Sequence, residues 1–480
     1  MFALIVVTFI VGYVVIAMEH PLKINKTATA LLLGVLVWTM YAFSMNVFGA
    51  GMTHEEWRTA LSGNLVHHLG STAEIVFFLL GAMTIVTLVS EYNGFSIITD
   101  HIKTTNKRRL LWILSILTFF FSAVLDNMTT AIVMCALLNN LIKDKKERWL
   151  FAGMVILAAN AGGAWSPIGD VTTIMLWIGG HVTTFNIMLK TFVASFACLV
   201  VPVLLLAPTL KGDIERPENT SKGFDIPAQY RNLIFFMGIG ALLFVPVFKT
   251  ITHLPPYFGM LFGLSVLWIT TEIISRSYNK KTMELVDGQP TINDDGKPVT
   301  MPTAVETLAH IDTPSILFFL GILMAVACLE TCGALGMLAD GLDGAFGDIK
   351  IGDEPFGIFI VATIIGIISS IVDNVPLVAA SMGMYADAFP TNHPFWEYLA
   401  YCAGTGGSLL IIGSAAGVAV MGMEKIDFIW YLKHITLLAF AGFLAGAVVY
   451  IVMDITLFEK IPVLRDFMAC VPQVSLPQLV

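Results

Sequence analysis

The 480-residue sequence predicts an all-α polytopic membrane protein with two inverted-topology repeats, each carrying a re-entrant helical hairpin and a broken transmembrane helix. Three observations lead there. Hydrophobic residues make up 56% of the chain and charged residues 13%, with a mean hydropathy of +0.81, which excludes an ordinary soluble domain. Apolar stretches of roughly 17 to 25 residues recur from end to end, each long enough to cross ~30 Å of hydrocarbon as a helix. The short alternating segments of a β-barrel are absent. Finally, Asp-Asn occurs twice deep in apolar sequence, in Ser122-Ala-Val-Leu-Asp126-Asn127-Met and in Ser369-Ser-Ile-Val-Asp373-Asn374-Val. A carboxylate inside a membrane is costly unless something requires it there.

Residues 1–18 lack a basic leader and an Ala-x-Ala cleavage site, so they are expected to form a first membrane helix rather than a signal peptide. A second helix is expected over 28–49. A polar loop with Glu55, Glu56, His67 and His68 follows, then a helix over 71–90. Arg108-Arg109 and the charged run 143–148 flank 33 residues with Asp126-Asn127 near their middle. Two full crossings need ~40 residues, and basic residues at both ends place both ends on the cytoplasmic side. A re-entrant hairpin with Asp126-Asn127 at its tip satisfies both constraints.

The stretch 149–178 is too long for a simple span and is interrupted by Gly162-Gly163-Ala-Trp-Ser-Pro167-Ile-Gly169-Asp170. Such a break is tolerated at depth only beside protein or a water-filled cavity. Plain helices are expected at 187–209, 232–249 and 257–275, with a cytoplasmic loop at 211–231. The hydrophilic segment 276–312 divides the halves.

The second half echoes the first. Phe77-Phe78-Leu79 before Glu91-Tyr-Asn-Gly94 matches Phe318-Phe319-Leu320 before Glu330-Thr-Cys-Gly333, and Gly162-Gly163 with Gly169 matches Gly406-Gly407 with Gly413. Counted from a cytoplasmic Lys23/Lys26 loop, the helix at 71–90 runs inward and its counterpart at 313–333 runs outward. The acidic loop 340–354 then lies outside, and a second hairpin at 357–390 enters from outside, so the repeats are inverted as in many secondary transporters. The implied divisions are N-terminal helices at 1–70, a first repeat core at 71–186, linking scaffold helices at 187–275, the cytoplasmic linker 276–312, a second repeat core at 313–424, and a C-terminal helix and tail at 425–480. The N-terminus is expected outside and the chain in a bacterial inner (plasma) membrane.

Asp126 and Asp373 are the leading candidates for chemistry. A carboxylate is a hard oxygen ligand for a small cation, and a desolvated one holds a proton whenever the cation leaves. The structural alternative is an aspartate capping a broken helix, which is compatible with that role. Asn127 and Asn374 offer neutral oxygens, and Ser122 and Ser369 lie one turn before each aspartate, either as ligands or bonded back to helix carbonyls. The broken helices add Asn160, Ser166, Asp170, Thr172 and Thr173 in the first half, and Thr405 and Ser408 in the second. Asp170 is matched by Ser414, and Thr172-Thr173 by Ala416-Gly417, so negative charge is loaded toward the first half. Na⁺ is accordingly expected at Asp126, Asn127, Asp170 and Asp373. Glu74 and Glu330 are candidates for a proton path, although they and Glu91 can equally lie at an interface; His67 and His68 can titrate near neutral pH at the surface. The six cysteines are scattered without metal spacing and read as packing residues.

With these motifs in view, Ser122-Ala-Val-Leu-Asp-Asn-Met-Thr-Thr130, Asn160-Ala-Gly-Gly-Ala-Trp-Ser-Pro-Ile-Gly-Asp170 and Ser369-Ser-Ile-Val-Asp-Asn374 resemble the NhaD family of Na⁺/H⁺ antiporters across nearly the whole chain. That family belongs to the ion transporter superfamily, with arsenite permeases and divalent anion/sodium symporters. The resemblance implies exchange of Na⁺ or Li⁺ for protons and, since the superfamily's structurally known symporters are dimers, a homodimer; the expected partners are the lipid bilayer and small cations, with no nucleic acid and no cofactor beyond the transported ions. The symporters carry Ser-Asn-Thr at the matching tips, and Asp126 and Asp373 stand in place of that serine, which favours a titratable exchanger. Two other functions are weighed. A Na⁺-coupled anion transporter would want cationic groups at mid-membrane. An intramembrane aspartyl protease would want Tyr-Asp and Gly-x-Gly-Asp contexts, which are absent here. No Gly-x-x-x-x-Gly-Lys-Ser/Thr loop suggests a hydrolysis-driven pump.

Overall fold

The computed structural model describes residues 1–99, 102, 104–215, 226–284, 301–347, 349–351, 354–371, 373–385 and 388–458. It is that of an all-α polytopic membrane protein. Among the described residues seven helices are long and apolar enough to cross a membrane, and the extended structure is a two-residue ladder pairing Lys350–Ile351 with Glu354–Pro355. The acidic part of the linker at 293–296 and Cys470 lie outside the described residues.

Helices Phe2–Ala17 and Lys26–Ala42 open the chain, the second capped by Asn25. The expected polar loop before residue 71 is instead helical, because His54–Glu91 is one continuous helix of 38 residues. A capping box starts it: the Thr53 side chain accepts from Glu56 N, and the Glu56 carboxylate accepts from Thr53 N at 2.7 Å. At 1.5 Å per residue it is about 57 Å long, so its polar first half extends beyond a ~30 Å core without needing to unwind. The division at 70/71 therefore falls inside a helix. Two further loops are partly helical. Pro256–Glu284 continues into the expected linker, and Ala334–Phe346 occupies the first part of the expected acidic loop, burying Leu335 and Ala339.

Each Asp-Asn joins two helices. Lys107–Leu125 and Asn127–Leu141 meet at Asp126, whose φ of +70° turns the chain sharply. Gly357–Ile368 and Asn374–Tyr385 form the second pair. Both glycine-rich breaks appear where expected, between Lys145–Gly163 and Val171–Ile178, and between Pro394–Gly406 and Ala415–Glu424.

Two groups of helices emerge from the packing. Phe2–Ala17, Lys26–Ala42, His54–Glu91, Ala228–Thr252, Pro256–Glu284 and Thr313–Thr331 pack among themselves. The two helix pairs and the broken helices pack with Thr184–Leu206 and Thr436–Met453, while Asn374–Tyr385 also leans on Thr313–Thr331. Thr184–Leu206 thus joins the helix-pair bundle, and the expected grouping of 187–275 as linking helices gives way to a split after 206.

The two halves make the same contacts inside the bundle. A Cβ on Gly162 would lie 2.1 Å from the Phe119 carbonyl oxygen, and one on Gly406 would lie 1.9 Å from that of Gly366. These glycines let each broken helix press backbone to backbone against its helix pair. Hydroxyls complete the seam in matching positions: Ser122 Oγ donates to the Ala159 carbonyl at 2.5 Å, and Ser369 Oγ to the Ala403 carbonyl at 2.9 Å.

Candidate functional site

The centre of the site is Asp170, at the second edge of the first break. Its position follows from helix chemistry: it caps Val171–Ile178, accepting from Thr172 N at 3.0 Å, while Thr173 Oγ1 accepts from Asp170 N at 3.3 Å. The carboxylate is 1% exposed, and both tip asparagines reach it. Asn127 Nδ2 donates to Asp170 Oδ2 at 2.7 Å. Asn374 Nδ2 donates to both carboxylate oxygens at 3.3 and 3.4 Å. Asn127 also donates to Asn160 Oδ1 at 3.1 Å, and Asn160 Nδ2 donates to Ser414 Oγ at 3.0 Å. One buried carboxylate, three amides and one hydroxyl thus connect both helix pairs with both breaks. A buried charge needs this degree of hydrogen bonding to remain in place.

The two tip aspartates are held differently, and the cause lies three residues further on. Asp126 accepts from Thr129 N at 2.8 Å and from Thr129 Oγ1 at 2.7 Å, capping its own helix. The position matching Thr129 is Pro376, which has neither an N–H nor a hydroxyl to offer. Asp373 instead faces Lys26 of the other helix group, with Nζ 3.5 Å from Oδ2. Its local contact is a long one, from Val375 N at 3.4 Å.

The remaining expected residues divide clearly. Ser122, Ser369 and Ser166 donate to carbonyls of neighbouring segments, so their hydroxyls staple the bundle. Thr405 and Ser408 donate to carbonyls of their own helix. Thr172 Oγ1 is buried with no hydrogen-bond partner among the described residues, and Thr173 Oγ1 donates to the Asp170 carbonyl at 2.8 Å. Glu74 and Glu330 stand apart from this centre: Glu74 shares a field with Lys249, and Glu330 lies beside Gly383 near the end of Asn374–Tyr385. Glu91 pairs with His310 at 3.0 Å, and His68 meets Thr331 at 3.0 Å. Among the described residues no group of three or more His, Cys, Asp or Glu stands close enough to hold a metal ion. Asp126, Asp170 and Asp373 therefore do not form a three-carboxylate cluster in this conformation.

Sequence reasoning missed four buried charged residues: Lys190, Glu397, Glu424 and Asp454. Lys190 Nζ pairs with Glu397 Oε2 at 3.0 Å and with Asp454 at 3.9 Å, and Arg148 pairs with the buried Glu424 at 2.7 Å. At the ends of the breaks, the loops 179–183 and 390–393 clasp one another through Asn392 N to the His181 carbonyl and Thr183 N to Asn392 Oδ1. The His181 ring lies tilted against Trp396, and His393 stacks on Phe389. Burial pushes His181 down to about 4, and burial with the Lys190 charge does the same to His393.

Comparison with known proteins shows the family. The citrate transporter family (CitMHS) matches residues 13–398. "Sodium/proton antiporter 1" of Arabidopsis thaliana is 42% identical over 94% of this chain and 72% of its own, and "Sodium/proton antiporter 2" of the same plant is 41% identical over 92% and 97%. "Na(+)/H(+) antiporter NhaD" of Vibrio cholerae serotype O1 is 30% identical over 93% of this chain and 90% of its own, so the expected resemblance holds across the whole fold.

Proposed function

The chain belongs to the citrate transporter family and stands among the NhaD-type antiporters, and from that premise we propose that it exchanges Na⁺, or Li⁺, for H⁺ across a membrane by alternating access. The observation that carries the reading is Asp170, a buried carboxylate receiving a tip amide from each helix pair. The amide protons now occupy the positions a cation or a carboxyl proton would take. Turning the Asn127 and Asn374 amides about χ2 exchanges N–H donors for carbonyl oxygens. Asn127 gives up its bond from Met128 N in doing so. Asp170, the two tip oxygens and Asn160 Oδ1 then make an oxygen cage suited to a small hard cation. With a proton on Asp170 the same pocket is neutral and needs no cation, so Na⁺ and H⁺ compete for one group.

Asp126 and Asp373 flank this pocket and add negative potential, with Asp373 binding cation or proton at its own tip. In this reading the helix pairs are re-entrant hairpins entering from opposite faces, the repeats are inverted, and the helix-pair bundle moves against the other group. The N-terminus lies outside, 276–312 is cytoplasmic, and the protein is a homodimer. The membrane is taken to be a bacterial inner (plasma) membrane, with relatives of the family also present in a plant. Anion transport, as the name of the matching family suggests, is the second reading. It is disfavoured because an anion at the centre would meet the Asp170 carboxylate.

The test is a Na⁺ pulse on reconstituted vesicles with an internal pH dye. Exchange gives a Na⁺-dependent pH change that citrate leaves unaltered. No pH change, or one requiring an anion, would overturn the proposal.

A further inference from the structure

We propose that Lys26 is an internal cation that latches the empty carrier: its ammonium holds the second tip through Asp373 until transported Na⁺ takes its place. This rests on the exchange reading above and assigns it a coupling device.

The contact joins the two helix groups. Lys26 begins Lys26–Ala42, and its Nζ lies 3.5 Å from Asp373 Oδ2 and 4.6 Å from the centre of the Phe318 ring. Both side chains are largely withdrawn from solvent, at 21% and 13% exposure, so the pair is only partly screened. A second group faces the same place. Tyr13 Oη, from Phe2–Ala17, is buried with no hydrogen-bond partner among the described residues, and the charge of Asp373 reaches it. The sequence leaves Asp373 available, because Pro376 stands where Thr129 caps Asp126.

Other titratable groups around this pair are engaged elsewhere or distant. Glu19 accepts from Lys26 N, Asp312 caps its own helix through Ser315, and Asp170 is held by the two asparagines. Glu330, beside Gly383, and Asp343, on Tyr385, face the far end of Asn374–Tyr385. That end lies ten residues on, about 15 Å along a helix.

An exchanger must prevent its unloaded form from crossing, or the two fluxes uncouple. An ionised, empty Asp373 attracts Lys26 and ties the bundle to the other helix group. Na⁺ bound at Asp373 removes the net attraction and frees the bundle, so the empty form is held back.

The experiment compares unsubstituted protein, Lys26→Met and Lys26→Arg in vesicles, measuring ²²Na⁺ and proton fluxes together. The latch predicts that Na⁺ moved per H⁺ rises several-fold in Lys26→Met and stays near the original in Lys26→Arg. It also predicts that purified Lys26→Met binds Na⁺ about ten-fold more tightly at alkaline pH, since Na⁺ no longer displaces an ammonium. An unchanged flux ratio overturns it. If Lys26→Met carries no flux, the Na⁺ titration decides: tighter binding supports the latch, equal or weaker binding overturns it. Failure of the exchange reading shows separately, as unsubstituted protein without Na⁺-driven proton movement.

Discussion

Replacing Asp170 by asparagine separates the charge of the site from its shape. The side chains are nearly isosteric, and asparagine is as good an N-cap as aspartate, so the bond from Thr172 N at 3.0 Å can be kept. The charge is lost. A cation taking the place of the Asn127 amide, now 2.7 Å from Oδ2, would sit roughly 3 Å from the carboxylate, an attraction of about 5 kcal/mol at an effective dielectric constant near 20. At about 1.4 kcal/mol per factor of ten, Asp170→Asn weakens Na⁺ binding by three to four orders of magnitude. Na⁺-driven pH change in vesicles should vanish at millimolar Na⁺, while thermal unfolding in detergent stays within a few degrees of the original. An Asp170→Asn protein that still exchanges, with half-saturation by Na⁺ within three-fold of the unsubstituted value, would refute the assignment of Asp170 as the shared cation and proton ligand.

Three further outcomes are expected. Gly162→Ala and Gly406→Ala drive a methyl into the Phe119 and Gly366 carbonyls, costing about 1–3 kcal/mol or more of overpacking. Gly336→Ala, with nothing within 4 Å, should be neutral or slightly stabilising when the three are compared by thermal unfolding. Pro376→Thr restores the residue that caps Asp126 and should draw Asp373 onto its own helix, reproducing the tighter Na⁺ binding of Lys26→Met in the same titration. The loop histidines set an acid limit. His181 and His393 are held down to about 4, while an unfolded histidine titrates at about 6.5. Unfolded chain takes up protons that the folded chain refuses, so stability is complete above about 6.5 and falls as the pH drops toward 4. Denaturation midpoints of His181→Gln across pH 4–8 should fall less steeply than those of the unsubstituted protein.

What was legible in the sequence was whatever membrane energetics makes conspicuous. Asp126-Asn127 and Asp373-Asn374 stand out because a carboxylate in apolar sequence needs a reason, and the helices do meet there. Glycines exposed both breaks, with Pro167 adding to the first. Less visible were polar stretches that remain helical: 54–70 carries charge yet is held by a capping box at Thr53 and Glu56. Charged pairs formed by residues far apart in the chain were invisible. Lys26 reads as an ordinary basic helix end, and Lys190 as one polar residue in an apolar helix. Their partners Asp373 and Glu397 are hundreds of residues away. Ser414 was noted only as the match to Asp170, although its hydroxyl closes the network through Asn160. The Thr129/Pro376 difference is plain in the sequence, but it gains meaning only through the partner each aspartate finds in the fold.

That difference bears on how two similar halves would serve the exchange proposed above. Backbone packing is duplicated closely, with Gly162 and Gly406 against Phe119 and Gly366, and Ser122 and Ser369 on matching carbonyls. The charge is not. Each half supplies one tip asparagine to the same carboxylate, Asp170, and the second half offers only the neutral Ser414 in the matching place. Two carboxylates facing one another there would repel and raise the cost of burial, whereas one carboxylate shared by both halves can be neutralised by a single Na⁺ or a single proton. The second aspartate released by the repeat, Asp373, lies at the junction of the two helix groups, where Lys26 answers it. The two halves thus supply matching packing contacts and a single central carboxylate, and in the proposed latch the second aspartate falls where it would govern movement between the groups.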